Sequence, residues 1–360
     1  QELDEVRAQY GDKRRSEVVI HTEDLSLEDL ITPEDVVVTF SHAGYVKAQP
    51  LADYRAQRRG GRGKQAAATK EDDFIEHLFI ANTHAYLLFL TDKGRCYWLK
   101  VHEIEQAGRA AKGRPLVNHL EGMSREERVQ AVVAVKTFDD NHFLVCATRK
   151  GLIKKTVLSA YGNVRKAGIN AVLLEEDDAL IEAIITDGTQ DIILAKKKGL
   201  AIRFHEDEVR AMGRTAYGVK SVTLDDESDE VVSMVGVKRQ ATLLAVTENG
   251  YGKRTVEEEY RQQGRGGKGI IDIKTTDRNG RVVGAVQVKD DDEAMLVTSG
   301  GVLIRMPVKD ISVIGRNTQE WPQPVANEPY FALVFWDSFF PYFFPYFFPV
   351  PLLETLRGAT

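Results

Sequence analysis

The apolar positions of this chain fall into short, nearly continuous runs that come in pairs, each pair split by a polar turn containing glycine. In order the pairs are VVVTFSHAGYVKAQP from Val36, YLLFLTDKGRCYWLK from Tyr86, FLVCATRKGLIKKTV from Phe143, DIILAKKKGLAIRF from Asp191, TLLAVTENGYGKRTV from Thr242 and AMLVTSGGVLIRMPV from Ala294. Runs of this length, rich in branched and aromatic residues, predict β-hairpins. The turn glycines Gly44, Gly94, Gly151, Gly199, Gly250 and Gly301 lie 50, 57, 48, 51 and 51 residues apart, an internal repeat. A two-residue turn with positive φ at the glycine is the expected geometry, and Asn249-Gly250 is its clearest instance.

A further strand-like run precedes each later hairpin, at 78–80, 132–135, 181–185, 231–235 and 282–286, and a basic, glycine-containing loop follows each hairpin. One unit is therefore three or four short strands and a loop. Six such units over residues 36–319 predict an all-β, propeller-like array, closed or spiral, with no long helical periodicity from 36 to 313. The ends differ. Leu3, Val6 and Tyr10 share a helical face ahead of Gly11, so residues 1–15 read as the end of a helix from an upstream domain. Residues 16–35 form an acidic connector. Beyond Gln319 the repeat stops, and residues 339–349, FFPYFFPYFFP, carry proline too often for a helix, a central strand or a membrane span. The last 40 or so residues, 320–360, are read as a frame-shifted or vector-derived extension outside the fold. The competing reading is an aromatic anchor for a partner or membrane surface.

A net charge of −6 argues against nucleic acid only as an average, because the charges are segregated. Acidic runs at 175–178, 225–227 and 290–293 alternate with the basic loops, so a fold that gathers those loops on one rim presents a positive surface. Cys96 and Cys146, the two cysteines, sit inside apolar runs and read as buried structural thiols. The eight histidines never take a zinc-ligand spacing, so no metal is expected. The charged N-terminal stretch lacks the apolar core of a secretory signal, and the expected compartment is the cytoplasm.

The most specific segment is Gln57-Arg58-Arg59-Gly60-Gly61-Arg62-Gly63, followed by Lys64. Guanidinium groups fit phosphate oxygens, and glycines let backbone N–H groups approach an anion. Nothing in it reads a base edge, so backbone binding and bending are its natural use. The bland alternative is an Arg-Gly linker. Further candidates for a DNA track are Arg109, Lys112 and Arg114; Lys154, Lys155, Arg165 and Lys166; Arg203, Arg210, Arg214 and Lys220; Lys253, Arg254, Arg261, Arg265 and Lys268; and Arg305, Lys309 and Arg316. Lys196, Lys197 and Lys198 lie at a hairpin tip and fit simple turn solvation.

QRRGGRG resembles the glycine-rich box of the DNA gyrase A C-terminal family, usually written QRRGGKG, with Arg62 in place of the lysine. GDKRRSEV from Gly11, EDVVVTFSHAGYVK from Glu34 and RQQGRGGKG from Arg261 resemble the same family, and the similarity runs over residues 1–319. The resemblance implies a six-bladed β-pinwheel whose basic rim wraps double-stranded DNA with positive handedness. It also implies a non-catalytic, monomeric part of an A2B2 holoenzyme, made with the rest of the gyrase A polypeptide and with the gyrase B polypeptide. ATP and magnesium would be bound elsewhere in that assembly, and no cofactor or membrane contact is expected here. The departure after Gln319 leaves closure of the sixth blade open. The rivals are the matching domain of a topoisomerase IV C subunit, which normally lacks an intact box, and a propeller serving as a protein-interaction platform. An enzyme with a pocket at the propeller axis is weakest, because no nucleophile–base pair is discernible.

Overall fold

The computed structural model describes residues 2–11, 27–41, 43–50, 75–108, 111–124, 126–163, 165, 167–237, 241–298, 303–316 and 330–336. It separates into two units, residues 1–32 and 33–360. The first contains α1, Glu2–Tyr10, whose Leu3, Val6 and Tyr10 are exposed; Gly11 N–H donates to Arg7 O at 2.9 Å where the helix stops.

The second unit is built from six antiparallel sheets among the described residues. The first combines β1 (Asp35–Ser41), β2 (Tyr45–Pro50) and β3 (Ile75–Asn82). The second holds β4 (Tyr86–Thr91) and β5 (Arg95–Lys100), and here the exchange between repeats begins. β6 (Arg114–Pro115), which follows this hairpin in sequence, pairs back onto β2 of the first sheet, whereas β7 (Val129–Val135) stays with β4. The third sheet repeats the plan with β8 (Phe143–Thr148), β9 (Leu152–Val157) and β11 (Leu180–Thr186), while β10 (Ile169–Asn170) crosses to β5. In the fourth, β12 (Asp191–Lys196), β13 (Leu200–His205) and β15 (Val231–Val237) stay together and β14 (Val219–Lys220) crosses to β9. In the fifth, β16 (Thr242–Thr247), β17 (Gly252–Val256) and β19 (Val282–Val288) form the sheet and β18 (Ile270–Ile271) crosses to β13. The sixth contains β20 (Glu293–Thr298), β21 (Leu303–Pro307) and β22 (Tyr330–Trp336). The strand-like run ahead of each later hairpin thus belongs to the hairpin before it. Edge strands β7, β11, β15, β19 and β22 approach one another in that order, and β22 also approaches β3.

Continuous apolar runs follow from this stacking, because a central strand covered on both faces needs apolar side chains at successive positions. In β4, Leu87 and Phe89 pack with Val36, Val38 and Phe40 of the first sheet, whereas Leu88 and Leu90 pack with Leu144 and Cys146 of the third. Val145 and Ala147 continue the stack toward Ile192 and Leu194, and Ile193 and Ala195 toward Leu243 and Ala245. Cys96 and Cys146 are fully buried in this layer, and burial pushes the Cys146 thiol up to about 11, which fits inert structural thiols.

The hairpin turns differ from expectation. Gly94 N–H donates to Thr91 O at 2.9 Å and Gly94 has φ +71°, but the residue before it keeps negative φ, as does Asn249 before Gly250. A two-residue turn of the expected kind needs positive φ at both central positions; these are type I turns closed by a glycine bulge. The bulge lets Thr91 Oγ1 accept the Arg95 N–H at 3.3 Å, and Ser41 and Thr148 do the same in their own turns.

The C-terminal extension, placed outside the fold from sequence, contributes β22, which runs antiparallel to β20 from Glu293↔Trp336 to Thr298↔Tyr330. YFALVFW has the aromatic content that strands favour, and the proline-rich stretch that motivated its exclusion starts after it. Truncation after residue 319 is therefore expected to lower the thermal midpoint, by about 2–4 °C for each kcal/mol lost. An unchanged melting curve would show that β22 adds nothing.

Candidate nucleic-acid interface

After the second strand of the second to sixth hairpins the chain crosses onto the preceding sheet, and we call these crossing segments straps. Two kinds of contact hold the straps among the described residues. Residues beyond the hairpin bridge the preceding sheet in parallel, at Ala48↔Gln106, Lys155↔Ala211, Arg203↔Gln262 and Arg254↔Val313. The short strands β6, β10, β14 and β18 then pair antiparallel with β2, β5, β9 and β13. Glycine is required just before each short strand: Gly218 has φ +102° and an added Cβ would lie 2.6 Å from Ile153 O.

The straps also bond to one another. Gly266 N–H donates to Ser221 O at 2.8 Å and Thr223 N–H to Gly267 O at 2.9 Å. Arg265 N–H reaches Glu208 Oε2 at 2.6 Å while its guanidinium donates to Lys220 O. One repeat later Arg316 does the same, with its N–H 3.0 Å from Glu259 Oε2 and Nη1 3.1 Å from Ile271 O. These two arginines tie neighbouring straps together and keep only part of their surface for solvent. Lys112, Arg114, Arg165, Arg210, Lys220, Arg261, Lys268 and Lys309 are exposed on the straps, with Arg214 half-buried among them. Arg114 shares its charge with Glu105 at 2.5 Å.

Five other candidates are engaged inside the protein: Lys154, Lys155, Lys253 and Arg254 are buried, which removes them from a DNA-facing surface, and Arg203 is half-buried. Lys154 is 1% exposed; its ammonium donates to Ala171 O and, at 2.9 Å, to Arg214 O, and burial lowers its pKa to about 8. Lys253 repeats this against Asp272 O, Gly315 O at 3.1 Å and Arg316 O at 2.5 Å, again with its pKa lowered to about 8 by burial. Lys155 pairs with buried Glu206 at 2.8 Å, and its ammonium lies 4.4 Å from the centre of the Phe143 ring. Arg254 donates to Ile311 O at 2.8 Å and to Asp290 at 2.5 Å. Arg203 pairs with Asp191 at 2.8 Å and donates to Glu257 O at 2.9 Å. The ammonium groups of Lys154 and Lys253 each join a carbonyl of their own repeat's strap to one or more carbonyls of the next strap, which ties the two together.

Sequence reading missed Lys47, whose ammonium donates to the next strap at Gly108 O, 3.3 Å away, and Ala111 O, 2.9 Å away. A signal existed. Lys47, Lys154 and Lys253 stand three residues past their turn glycines, where other repeats carry Tyr97 and Ile202, both fully buried, so the column itself marks an interior position. The tip lysines are also more than turn solvation: buried Lys196 contacts Asp229 at 3.0 Å and Asp225 at 3.1 Å, Lys197 contacts Glu230 at 2.7 Å, and Lys198 pairs with Asp226.

The box 57–63 with Lys64, and Arg109 and Lys166, lie outside the described residues, and of Arg305 only the backbone is described. The box has a described counterpart in sequence. Residues 263–269 read QGRGGKG, sharing with QRRGGRG its glutamine, second arginine and three glycines.

The family model for the DNA gyrase C-terminal domain, beta-propeller, matches six segments, 35–82, 85–136, 142–187, 190–238, 241–289 and 292–319. The chain is 48% identical over 319 residues to the DNA gyrase A subunit of Salmonella typhimurium, covering 89% of this chain and 36% of that protein. Against the DNA gyrase A subunit of Clostridium acetobutylicum it is 50% identical over 316 residues, covering 88% and 38%. It therefore spans little more than a third of these relatives. A solved structure of a DNA gyrase A C-terminal domain aligns with TM-score 0.68 at 27% identity, over 82% of this chain and 98% of that one. The C-terminal domain of a DNA topoisomerase IV aligns with TM-score 0.71 at 26% identity, over 86% and 95%.

Proposed function

Because this chain belongs to the DNA gyrase C-terminal domain family of β-propellers, we propose that it binds duplex DNA along its straps and bends and wraps it with positive handedness. The observation that carries this reading is the recurrence of exposed Lys and Arg on successive hydrogen-bonded straps, a continuous run of phosphate partners without a base-reading helix. Each sheet is one blade of a six-bladed pinwheel, and strap exchange is what joins the blades. The domain works in the bacterial cytoplasm within an A2B2 holoenzyme, where the wrap presents DNA for negative supercoiling. The isolated domain is monomeric, needs no cofactor and performs no bond chemistry. ATP and magnesium act on other parts of the assembly.

Log affinity for duplex DNA should fall linearly with log salt, with a slope near −0.9 for each phosphate neutralised and several phosphates engaged. Salt-insensitive binding, or a strong preference for one sequence, sinks the proposal. Ligation of nicked plasmid in the presence of the domain reads the wrap and its sign as a linking-number change. The likeness to a topoisomerase IV domain favours one second reading, a domain that binds DNA but wraps it poorly. Binding with little linking-number change is its signature.

A further inference from the structure

We infer that Tyr217 is a DNA-contacting residue, its hydroxyl donating to a backbone phosphate at a strap position that two other described repeats give to lysine; the inference rests on the DNA-binding reading above. Four described straps present one residue immediately before the left-handed glycine that enters the short strand. Those residues are Lys112 before Gly113, Ala167 before Gly168, Tyr217 before Gly218 and Lys268 before Gly269, and all four are exposed. Their common direction has a mechanical cause. Each glycine is pressed against the preceding sheet, where an added Cβ would meet Val46 O at 2.3 Å, the Tyr97 ring at 2.6 Å, Ile153 O at 2.6 Å or Ala201 O at 2.5 Å. With the glycine seated inward, the residue before it stands on the outer surface.

Tyr217 is 49% exposed, although a tyrosine ring is costly to leave in water and the core has taken Tyr97, Tyr161 and Tyr260 completely. No described residue accepts or donates a hydrogen bond at its hydroxyl. Arg214 and Lys220 stand three residues to either side of it on the strap, a stretch without acidic residues. Tyrosine hydroxyls are regular donors to phosphate oxygens, and they hold the backbone without reading sequence. The position therefore supplies a neutral contact between the cationic ones.

The test uses the full chain and a mixed-sequence duplex of about 150 base pairs, one persistence length, with affinity measured across a salt series. Tyr217→Phe keeps the ring and removes the hydroxyl, and it should weaken binding roughly ten-fold at every salt, the loss of one hydrogen bond from a neutral donor to a charged phosphate oxygen, with the slope unchanged. Tyr217→Lys should steepen the slope by about 0.9, one extra phosphate neutralised. Melting curves of both variants should match the wild type, since the side chain is outside the core. If neither variant alters affinity or slope, Tyr217 does not face the DNA. A steeper slope for the lysine variant beside an unaltered phenylalanine variant overturns the hydroxyl bond. Wild-type chain that binds no DNA overturns the reading beneath the inference and the inference with it.

Discussion

Replacing Lys253 with methionine is expected to destabilise the fold by about 3–5 kcal/mol, the cost of breaking a buried charged site from one side. The ammonium is buried and donates to three carbonyls, those of Asp272, Gly315 and Arg316. Methionine fills much of the volume but donates nothing, which leaves those carbonyls unsatisfied and removes the cation 3.8 Å from the buried Asp272 carboxylate. Lys268→Met, on the exposed part of a strap, should change stability by less than about 0.5 kcal/mol and instead weaken DNA binding. Denaturant unfolding and a binding titration on both variants check this crossed pattern. If Lys253→Met melts like the wild type, the carbonyl cage contributes nothing.

The same site carries a pH signature. Burial lowers the folded-state pKa of Lys253 from 10.5 to about 8. Between those values the unfolded chain binds a proton that the folded chain has released, so the stabilising contribution of this site rises with pH across that window. The stability difference between wild type and Lys253→Met should therefore widen from pH 8 upward. A difference that narrows over that range contradicts the assignment.

The second large effect is functional. Substituting Arg58, Arg59 and Arg62 by alanine should abolish the linking-number change while gel-shift binding survives with modest loss. Many straps share the electrostatic attraction, so three charges are a minor fraction of it. Holding a bend is different, because duplex DNA is stiff over about 150 base pairs and an arc springs open when the contact at one end is lost. The three arginines belong to the glycine-rich box rather than to an apolar run, so the melting curve should stay that of the wild type. Normal wrapping by the triple variant, or loss of binding and wrapping in equal proportion, rejects a clamp at the end of the arc.

What the sequence by itself determined is the repeat, because a hairpin needs only local features: two apolar runs, a polar turn and a glycine in the left-handed region. For the same reason the strand edges of β4, β8, β12 and β16 stand close to the apolar runs read from sequence, and the strap loops were legible as basic, glycine-containing segments. Only the tertiary structure decided which cations face water. Lys253 and Lys268 are equally basic residues of one repeat, yet one is buried by carbonyls 19, 62 and 63 residues further along the chain while the other has no covering strap. Strand exchange followed from the family resemblance but from no local pattern, because two residues such as Val219–Lys220 carry no strand pattern of their own and become a strand only against β9. Residues 330–336 are the converse case: their β-forming composition was present in the sequence, but membership of the sixth sheet is a pairing with β20 more than thirty residues away, and no local pattern specifies a partner at that distance.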